Sequence, residues 1–339
     1  MSGIERANGH RPDGVLDIVH PALMGASRPD PARLAYDLDS VLAAVFRLRA
    51  EVPASAFTAT ILGTEREGNG VLIGADGLVL TIGYLITEAD RIALTDVDGR
   101  TVAASPVAYD HETGLGLVRA DEELHAAPVE IGRSGGVSAN DPVVIASFGG
   151  VKHAIEGEVA VVREFAGSWE YMLDEAICTI PVHPYWGGAA LIDRSGRLVG
   201  CGSLYVEHSL DGGETVPGNL FVPIDLLAPI RDEMIRTGRA RRAGRPWLGV
   251  YVNESDDRLV VTGVAANGPG DQCGMQPGDA ILSVEGVAVS GLPEYYRTIW
   301  AAGEPGEEIR LTVLRDDDVL SVRVRSGDRY SYLKLPRPH

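Results

Sequence analysis

Short apolar runs separated by turns occupy most of the chain and limit the folds that are open to it. The 339 residues include 41 glycines and 20 prolines. The pairs Asp76-Gly77 and Asp98-Gly99 interrupt alternating apolar segments, and Asp-Gly is a strong signal for a tight β-hairpin turn. Regularly spaced short strands with such turns are typical of β-barrels and β-sandwiches. The pattern therefore predicts a mainly β fold, with strands at 57–62, 71–74, 78–81, 91–95, 101–109, 115–119, 142–148, 156–165, 171–181, 191–193 and 197–203.

Length and charge limit the classes of protein and of partner. A chain of 339 residues corresponds to about two domains. The formal net charge of −18 argues against binding to nucleic acid or to anionic membrane surfaces, since both are negatively charged. No stretch reaches the roughly 18 apolar residues of a membrane-spanning helix, and no His-x-x-x-His spacing indicates a zinc site. We therefore expect no nucleic-acid or membrane partner, no metal and no cofactor.

The start of the chain is rich in polar and turn-forming residues. Residues 1–30 are therefore predicted to form a flexible leader, and no apolar segment of a secretory signal is recognised there. The cysteines, Cys178, Cys201 and Cys273, are odd in number and widely spaced, which does not indicate a disulfide framework. Together these features predict a cytoplasmic protein.

Two helices are predicted outside the strands. Apolar residues at helical spacing indicate a helix over 31–50, with Asp30 before Pro31 as its start. This helix would either pack on the domain that follows or join subunits. A second helix is predicted over 223–238. The basic, glycine-containing stretch 236–245 after it is interpreted as a linker.

A tight Pro/Gly-rich corner lies between two strand-like runs at 182–191. It reads Val-His-Pro-Tyr-Trp-Gly-Gly-Ala-Ala-Leu. The corner resembles the nucleophile loop of the HtrA (DegP-like) trypsin-fold serine proteases, which reads Asn-Pro-Gly-Asn-Ser-Gly-Gly-Pro-Leu. Pro184, Gly188 and Leu191 match this motif in register, and Gly187 stands at the place of the nucleophile.

The order of further motifs resembles the same family over residues 57–230. Residues 68–73 correspond to the family's Gly-Ser-Gly-Val-Ile-Ile, 81–86 to Thr-Asn-Asn-His-Val-Val, and 110–118 to Asp-Pro-Glu-Thr-Asp-Leu-Ala-Val-Leu. The resemblance implies a trypsin-like double β-barrel with the catalytic triad positions at Tyr84, Gly114 and Gly187. A serine hydrolase needs a nucleophile, a base and an orienting carboxylate, and these three residues supply none of them.

Other residues near these positions leave alternatives open. His183, His111 or Ser203 would be candidates for a new base or nucleophile, although a loop hydrogen bond explains His183 more simply and a strand hydroxyl explains Ser203 more simply. Cys178 and Cys201, on strands beside the corner, are interpreted as buried structural thiols or, less simply, as a catalytic cysteine. Two further aromatic residues, Tyr185 and Trp186, would with Tyr84 fill the cleft or form an aromatic floor for a ligand.

A second unit begins at residue 246. Residues 274–282 read Gly-Met-Gln-Pro-Gly-Asp-Ala-Ile-Leu, which resembles the Gly-Leu-x-Pro-Gly-Asp-x-Ile-Leu run of HtrA-type PDZ domains. Such domains add an extended peptide to a sheet edge and capture its terminal carboxylate with backbone N–H groups. The resemblance places the carboxylate loop at Trp247, Leu248, Gly249 and Val250. The facing helix would contain Tyr295, Tyr296, Ile299 and Trp300, of which Tyr296 and Ile299 are the predicted groove residues.

These patterns predict a mainly β protein in which a trypsin-like double β-barrel is followed by a PDZ domain. The predicted segments are a leader (1–30), the barrel domain (31–235), a linker (236–245), the PDZ domain (246–327) and a tail (328–339). The leading hypothesis is an inactive HtrA-like homologue that binds protein or peptide C-termini. The alternatives are an active hydrolase with a relocated nucleophile or base, and a structural subunit assembled through the helix at 31–50. The family resemblance implies a homotrimer.

Overall fold

Two compact units make up the chain in the computed structural model, which describes residues 26–209, 215–240, 244–255 and 258–333. Unit 1 comprises Met1–Arg163, Glu175–Arg241 and Leu335–His339. Unit 2 comprises Glu164–Asp174 and Arg242–Lys334. Of the predicted segments, residues 1–25 of the leader, 241–243 of the linker and 334–339 of the tail lie outside the described residues.

Six strands of unit 1 form a first closed barrel in the order β1-β2-β3-β6-β5-β4. The hairpin turns predicted at Asp76-Gly77 and Asp98-Gly99 are confirmed, and both glycines have positive φ, 77° and 85°. A positive φ costs glycine no steric energy because it has no Cβ. The strands are β1 (Val45–Glu51), β2 (Glu65–Leu72), β3 (Leu78–Ile82), β4 (Arg91–Thr95), β5 (Thr101–Tyr109) and β6 (Leu115–Ala120).

The structure corrects two predictions at the start of the barrel. The continuous helix over 31–50 is wrong: a 3₁₀ turn (Pro31–Arg33) and a short helix α1 (Leu38–Ala43) precede strand β1. Val45, Phe46 and Leu48 are all buried, so β1 lacks the alternation that would have marked it as a strand. The strand over 57–62 is also wrong, since Ala59–Leu62 forms helix α2. Apolar runs this short do not distinguish a helix from a strand.

Six further strands form a second closed barrel in the order β10-β11-β12-β9-β8-β7. Its interior is filled by apolar side chains from facing strands, among them Ile145, Ile177, Leu191 and Phe221. Together with the first barrel it confirms the trypsin-like double β-barrel. The strands are β7 (Pro142–Ala146), β8 (Ala154–Gly167), β9 (Tyr171–Ile180), β10 (Ala190–Ile192), β11 (Leu198–Ser209) and β12 (Thr215–Pro223).

Helices α3 and α4 complete the regular structure of unit 1. Helix α3 (Gly83–Ile86) follows β3 directly, and helix α4 (Arg231–Thr237) follows a 3₁₀ turn at Ile224–Leu226. The predicted helix over 223–238 is therefore present as two pieces. Gly238, with φ of 79°, ends α4, and its N–H donates to the Met234 carbonyl at 2.9 Å.

Unit 2 contains a six-stranded sheet. Five of its strands follow the order β13-β14-β15-β17-β18, and β16 pairs with β15. Helix α6 buries Tyr295, Tyr296 and Ile299 in the core of this unit. Asp316 and Asp317, both at positive φ, form the turn that joins β17 to β18. The elements are β13 (Val250–Ser255), β14 (Arg258–Val264), α5 (Pro269–Gln272), β15 (Ala280–Val284), β16 (Val287–Ala288), α6 (Leu292–Ala301), β17 (Glu308–Arg315) and β18 (Asp318–Arg325).

A buried carboxylate explains the Pro277-Gly278-Asp279 part of the PDZ motif. The side chain of Asp279 is 1% exposed and accepts hydrogen bonds from Arg315 Nε at 2.6 Å and Arg315 Nη2 at 2.7 Å. It also accepts the Gln276 N–H at 2.9 Å. The ion pair thus ties the turn before β15 to the end of β17. Burial raises the pKa of Asp279, but the hydrogen bonds and charge of Arg315 outweigh this and hold the pKa below its usual value.

We expect the substitution Asp279→Asn to lower the free energy of unfolding of unit 2 by about 2 kcal/mol at pH 7, because Arg315 loses its buried counter-charge. Since the native pKa of Asp279 is depressed, its contribution is present above the carboxylate's ordinary pKa and is lost as pH falls through the native pKa. The variant should therefore lose less stability than the wild type between pH 6 and 3.

Urea unfolding followed by tryptophan fluorescence at several pH values measures both effects. The exposed turn carboxylate Asp317 provides the control substitution, Asp317→Asn. Equal unfolding midpoints for the two variants would contradict a structural role for the Asp279–Arg315 pair.

Candidate active site and candidate peptide groove

The three triad positions come together where the two barrels of unit 1 meet. Tyr84 lies on helix α3, Gly114 lies in the turn between β5 and β6, and Gly187 precedes β10. The Gly83 N–H donates to the Gly114 carbonyl at 2.6 Å, which places Gly114 beside the start of α3. The Asn69 N–H of strand β2 donates to the Gly187 carbonyl at 2.8 Å. These two hydrogen bonds bring the predicted triad positions onto neighbouring elements of this unit.

Tyr84 acts as a hydrogen-bond donor at the position where the family has its histidine base. Its half-buried hydroxyl donates to the Ser203 carbonyl at 2.8 Å. Burial raises the pKa of Tyr84 well above its usual value, with a smaller contribution from the Cys201 thiol. Arg66 Nη1 donates to the Tyr84 carbonyl at 2.8 Å and holds the end of the helix in place. A protonated, bonded phenol cannot accept a proton at neutral pH.

The carboxylate position is taken by a turn glycine. Gly114 has φ of 79°, a conformation that side-chain-bearing residues rarely adopt. The neighbouring Asp110 is buried, and its Oδ2 accepts both the Thr113 N–H at 3.0 Å and the Thr113 hydroxyl at 2.8 Å. The Gly114 N–H donates to the Asp110 carbonyl at 2.8 Å. These two hydrogen bonds of the Asp110 carboxylate stabilise the turn itself, in which His111 also lies.

Asn69 holds the turn at the nucleophile position. Its Nδ2 donates to the Tyr185 carbonyl at 3.0 Å and the Gly187 carbonyl at 2.9 Å, and its Oδ1 accepts the Phe148 N–H at 2.8 Å. Gly188 has φ of 74°, and a Cβ there would lie 2.0 Å from the Asn69 carbonyl oxygen. The turn therefore depends on a buried asparagine and on a glycine, and neither requires a serine at 187.

The backbone donors of this turn are partly used within the turn. In the trypsin fold, the oxyanion hole consists of the N–H of the nucleophile residue and the N–H two positions before it. Those residues are Gly187 and Tyr185 here. The Tyr185 N–H donates to His183 Nδ1 at 3.1 Å. One of the two oxyanion donors is therefore already engaged by a side chain of the same loop.

His183 is committed at both ring nitrogens. The residue is fully buried, and since Nδ1 accepts a hydrogen bond from Tyr185, Nε2 carries the proton and donates to the His153 carbonyl at 2.9 Å. The backbone of His183 is also held, with its N–H donating to Asn219 Oδ1 at 2.6 Å. This arrangement matches the loop-stabilising interpretation of His183 better than that of a relocated base.

The other candidate nucleophiles are buried in the second barrel. Cys178 and Cys201 lie on β9 and β11, on either side of β12, and both thiols are free. Burial raises the pKa of Cys178 to about 11, although Arg163 lowers it in part, and burial raises the pKa of Cys201 to about 12. Thiols are reactive as thiolates, so both are protonated and inert at neutral pH. Ser203 is 3% exposed on β11, where its carbonyl accepts the Tyr84 hydroxyl.

The aromatic residues of the corner pack against neighbouring rings. The Tyr185 ring centroid lies 5.8 Å from that of His153 and 6.1 Å from that of His183. The Trp186 ring lies 6.0 Å from the Tyr205 ring. Both side chains are half-buried. This packing favours the interpretation that they fill the cleft.

The predicted carboxylate loop of unit 2 turns its N–H groups toward one point. Leu248, Gly249 and Val250 donate to Oε1 of Glu170 at 3.2, 2.7 and 3.3 Å. Gly249, with φ of 67°, makes the loop turn inward. Trp247 pairs with Gly327 through two backbone hydrogen bonds and anchors the start of the loop. Three converging N–H groups form a site for a carboxylate.

The predicted groove residues of helix α6 have two different roles. Ile299 is fully buried in the core of unit 2, as is Tyr295. Tyr296 is buried as well, but its hydroxyl donates to the Gly167 carbonyl at 2.6 Å and accepts the Glu170 N–H at 3.2 Å. Trp300 stacks on Tyr296, with 5.6 Å between the ring centroids. Of the two predicted groove residues, Tyr296 thus contacts the segment beside β13 through its hydroxyl and Ile299 lies in the core.

Sequence patterns did not reveal Glu170 as a residue of this site. It lies 78 residues before Leu248 in the chain, and the surrounding Gly167-Ser168-Trp169 reads as an ordinary turn. No local signal distinguishes such a glutamate from an exposed one.

Within the part of the chain that the structure describes, no group of three histidine, cysteine or acidic residues is arranged to hold a metal ion. In those same residues, no helix is both long and apolar enough to cross a membrane.

Comparison with known proteins agrees with this architecture. The family model described as a trypsin-like peptidase domain matches residues 68–201, and the one described as a PDZ domain matches residues 246–325. Similar proteins include a probable periplasmic serine endoprotease DegP-like of Hahella chejuensis, 25% identical over 77% of this chain and 56% of the relative. In both of its domains the chain is similar to HtrA/DegP-type proteases. The serine protease PepD of Mycobacterium tuberculosis is 26% identical over 77% of this chain and 61% of its own length.

Other relatives and structures extend the comparison. The serine endoprotease DegS of Haemophilus influenzae is 27% identical over 76% of each chain. A solved structure of a variant HtrA-type protease AlgW with a tripeptide has a TM-score of 0.51 at 23% identity, covering 91% of this chain and 97% of that one. The structural likeness concerns the fold. The chain spans little more than half the length of the first curated relatives that it matches.

The predicted cytoplasmic location is wrong. Several relatives are named periplasmic serine endoproteases, which points to the cell envelope instead. The prediction was based on the composition of a short segment and on the number of cysteines, and neither property determines the compartment of an HtrA-like protein.

We expect the substitution Asn69→Ala to destabilise unit 1 by about 2–4 kcal/mol, because the Phe148 N–H and the Tyr185 carbonyl would lose their partner in a buried position. Urea unfolding followed by tryptophan fluorescence measures the loss. Asn253, exposed on β13, provides the matched control Asn253→Ala, which should leave the midpoint unchanged. An unchanged midpoint in Asn69→Ala would show that the turn does not depend on this side chain.

Proposed function

We propose that this HtrA-like protein is not a serine protease and that it binds the C-termini of proteins or peptides through its PDZ domain. One observation carries the first part of the proposal: the triad positions hold Tyr84, Gly114 and Gly187 in a framework that is otherwise formed. The relatives are named serine endoproteases, so the difference lies in these side chains.

The chemistry of acyl transfer supports the proposed inactivity. Glycine at 187 offers no nucleophile, Tyr84 donates its proton to a carbonyl, and Gly114 offers no carboxylate to orient a base. Removing a single key triad member costs about as much as removing all three, on the order of 10⁶ in kcat. The Tyr185 N–H, bonded to His183, further reduces the stabilisation available to an oxyanion.

The carboxylate loop supports peptide binding. Three N–H groups from Leu248 to Val250 converge on a carboxylate oxygen, which is the arrangement that recognises a peptide C-terminus. The similar solved structures are those of the HtrA-type protease AlgW with a tripeptide or a decapeptide. We extend this property to the present chain and propose that Trp247, Leu248, Gly249, Val250 and Tyr296 form its binding site, with Ile299 supporting the groove from the core.

Domain limits, location and assembly complete the proposal. We propose that residues 31–235 and 246–327 are the functional domains and that the protein acts in the cell envelope. Its proposed partners are proteins or peptides, and we expect it not to bind nucleic acid. A homotrimer stays a prediction, which mass measurement in solution tests.

We expect that the purified protein will not react with a fluorophosphonate serine probe and will not cleave unfolded casein. An active HtrA-type protease, assayed in parallel, is the positive control. The single substitution Gly187→Ser should restore neither reaction, because Tyr84 cannot take the serine proton. Mass spectrometry locates any labelled residue. A label on one serine together with casein cleavage would support the alternative of a relocated nucleophile and would overturn the proposed inactivity.

A further inference from the structure

The turn between β8 and β9, which belongs to unit 2, lies beside β13. The Val252 N–H of β13 donates to the Ser168 carbonyl at 3.0 Å. On the other side of the segment, the Tyr296 hydroxyl of α6 donates to the Gly167 carbonyl at 2.6 Å. Residues 167–170 therefore occupy the space between β13 and α6, where a PDZ domain receives its peptide.

The segment ends on a carboxylate in the carboxylate loop. Glu170 is 8% exposed, and its Oε1 accepts the N–H groups of Leu248, Gly249 and Val250. The carbonyl that pairs with β13 belongs to Ser168, two residues before Glu170. A C-terminal peptide that adds to β13 with its last carboxylate in this loop would use the same two contacts at the same separation. The side chain of Glu170 thus stands in for an α-carboxylate.

Contacts around Glu170 keep the segment in place. Glu170 has φ of 55°, which is uncommon for a residue with a side chain. Arg329 Nη1 donates to the Trp169 carbonyl at 3.2 Å.

Further contacts hold both ends of the segment. Arg297 of α6 forms ion pairs with Glu164 and Asp174. Ala166 and Met172 pack against the core of unit 2. The strained backbone of Glu170 is therefore maintained by contacts on both sides of the segment.

We propose that residues 167–170 are an internal ligand of the peptide groove, so that a C-terminal peptide binds only by displacing Glu170. This inference rests on the proposed peptide-binding function, which the docked segment would regulate. The competing ligand is a polypeptide with a free C-terminal carboxylate. Its apparent affinity is reduced by the fraction of molecules in which the segment is docked.

The docked state is expected to depend on pH. Burial raises the pKa of Glu170 to about 7, although the three loop N–H groups and Arg329 lower it in part. The other ionisable groups facing it are the hydroxyls of Tyr251, Tyr295 and Tyr296, whose pKa values are raised, chiefly by burial, so that they stay neutral. Unit 2 contains no histidine in its sequence ranges. Glu170 is therefore the group expected to titrate near neutrality.

The sign follows from the raised pKa. Docking is favoured when Glu170 is protonated, so its stability is fully present below the ordinary carboxyl pKa and is lost as pH rises through about 7. The α-carboxylate of a competing peptide stays ionised over this range. Peptide affinity of the wild type should therefore increase by about tenfold or more from pH 5 to pH 8. The variant Glu170→Gln should lose most of that increase.

Two measurements on the full chain test the internal ligand. The first is fluorescence anisotropy with fluorescein-labelled random hexapeptides that end in Val, Leu or Phe, each with a free or an amidated C-terminus. We expect Glu170→Ala to bind the free-carboxylate peptides at least about tenfold more tightly than the wild type. The matched control is Glu158→Ala, which removes an exposed glutamate of β8 and should bind like the wild type.

The second measurement is amide hydrogen exchange of Leu248–Val250 without peptide. We expect faster exchange in Glu170→Ala than in the wild type and in Glu158→Ala, because the loop N–H groups lose their acceptor. If Leu248–Val250 exchange at the same rate in Glu170→Ala and in the wild type, the proposal of an internal ligand is overturned. It is also overturned if both proteins bind peptide with equal affinity. Faster exchange without binding of any peptide would support the internal ligand and contradict the proposed peptide-binding function instead.

Discussion

Buried backbone N–H and C=O groups must find hydrogen-bond partners, and this constraint shapes both sites of the protein. In unit 1, Asn69 bonds two carbonyls of the corner before β10, and His183 takes up the N–H of Tyr185. In unit 2, Glu170 accepts three N–H groups of the loop before β13. In each site a side chain of the protein itself accepts backbone N–H groups that the proposed roles would offer to a substrate oxygen or a ligand carboxylate.

The fold of unit 1 does not depend on catalytic side chains. Closed barrels satisfy their strands internally, and the corner at Gly187 is held by Asn69 and by the positive φ of Gly188. Helix α3 is held by the bonds of Arg66 to its carbonyl groups. A serine, a histidine and an aspartate would add reactivity to this framework but little stability. The backbone around Tyr84, Gly114 and Gly187 is therefore held without a serine, a histidine or an aspartate at these positions.

Much of the architecture was predictable because its signals are local. The Asp-Gly pairs marked two hairpins, and the run at 274–282 marked the PDZ domain, including the turn that Asp279 stabilises. The assignment of Tyr84, Gly114 and Gly187 to the triad positions also comes from local motif order and stays a prediction. Strand β1 was mistaken for a helix because both of its faces are buried, which removes the alternation of apolar and polar residues. Residues 59–62 were mistaken for a strand because four residues show no reliable period.

Turn chemistry, domain order and the identities at the triad positions can be recognised along the chain, because each depends on residues that are close in sequence. The hydrogen-bond partners of buried polar groups cannot be recognised along the chain, because they depend on which segments meet after folding. Tyr84 and Ser203 are 119 residues apart, and Glu170 and Leu248 are 78 residues apart. Hydrogen bonds have a range of about 3 Å, so only the folded chain decides that Glu170 meets the carboxylate loop and that His183 closes on Tyr185.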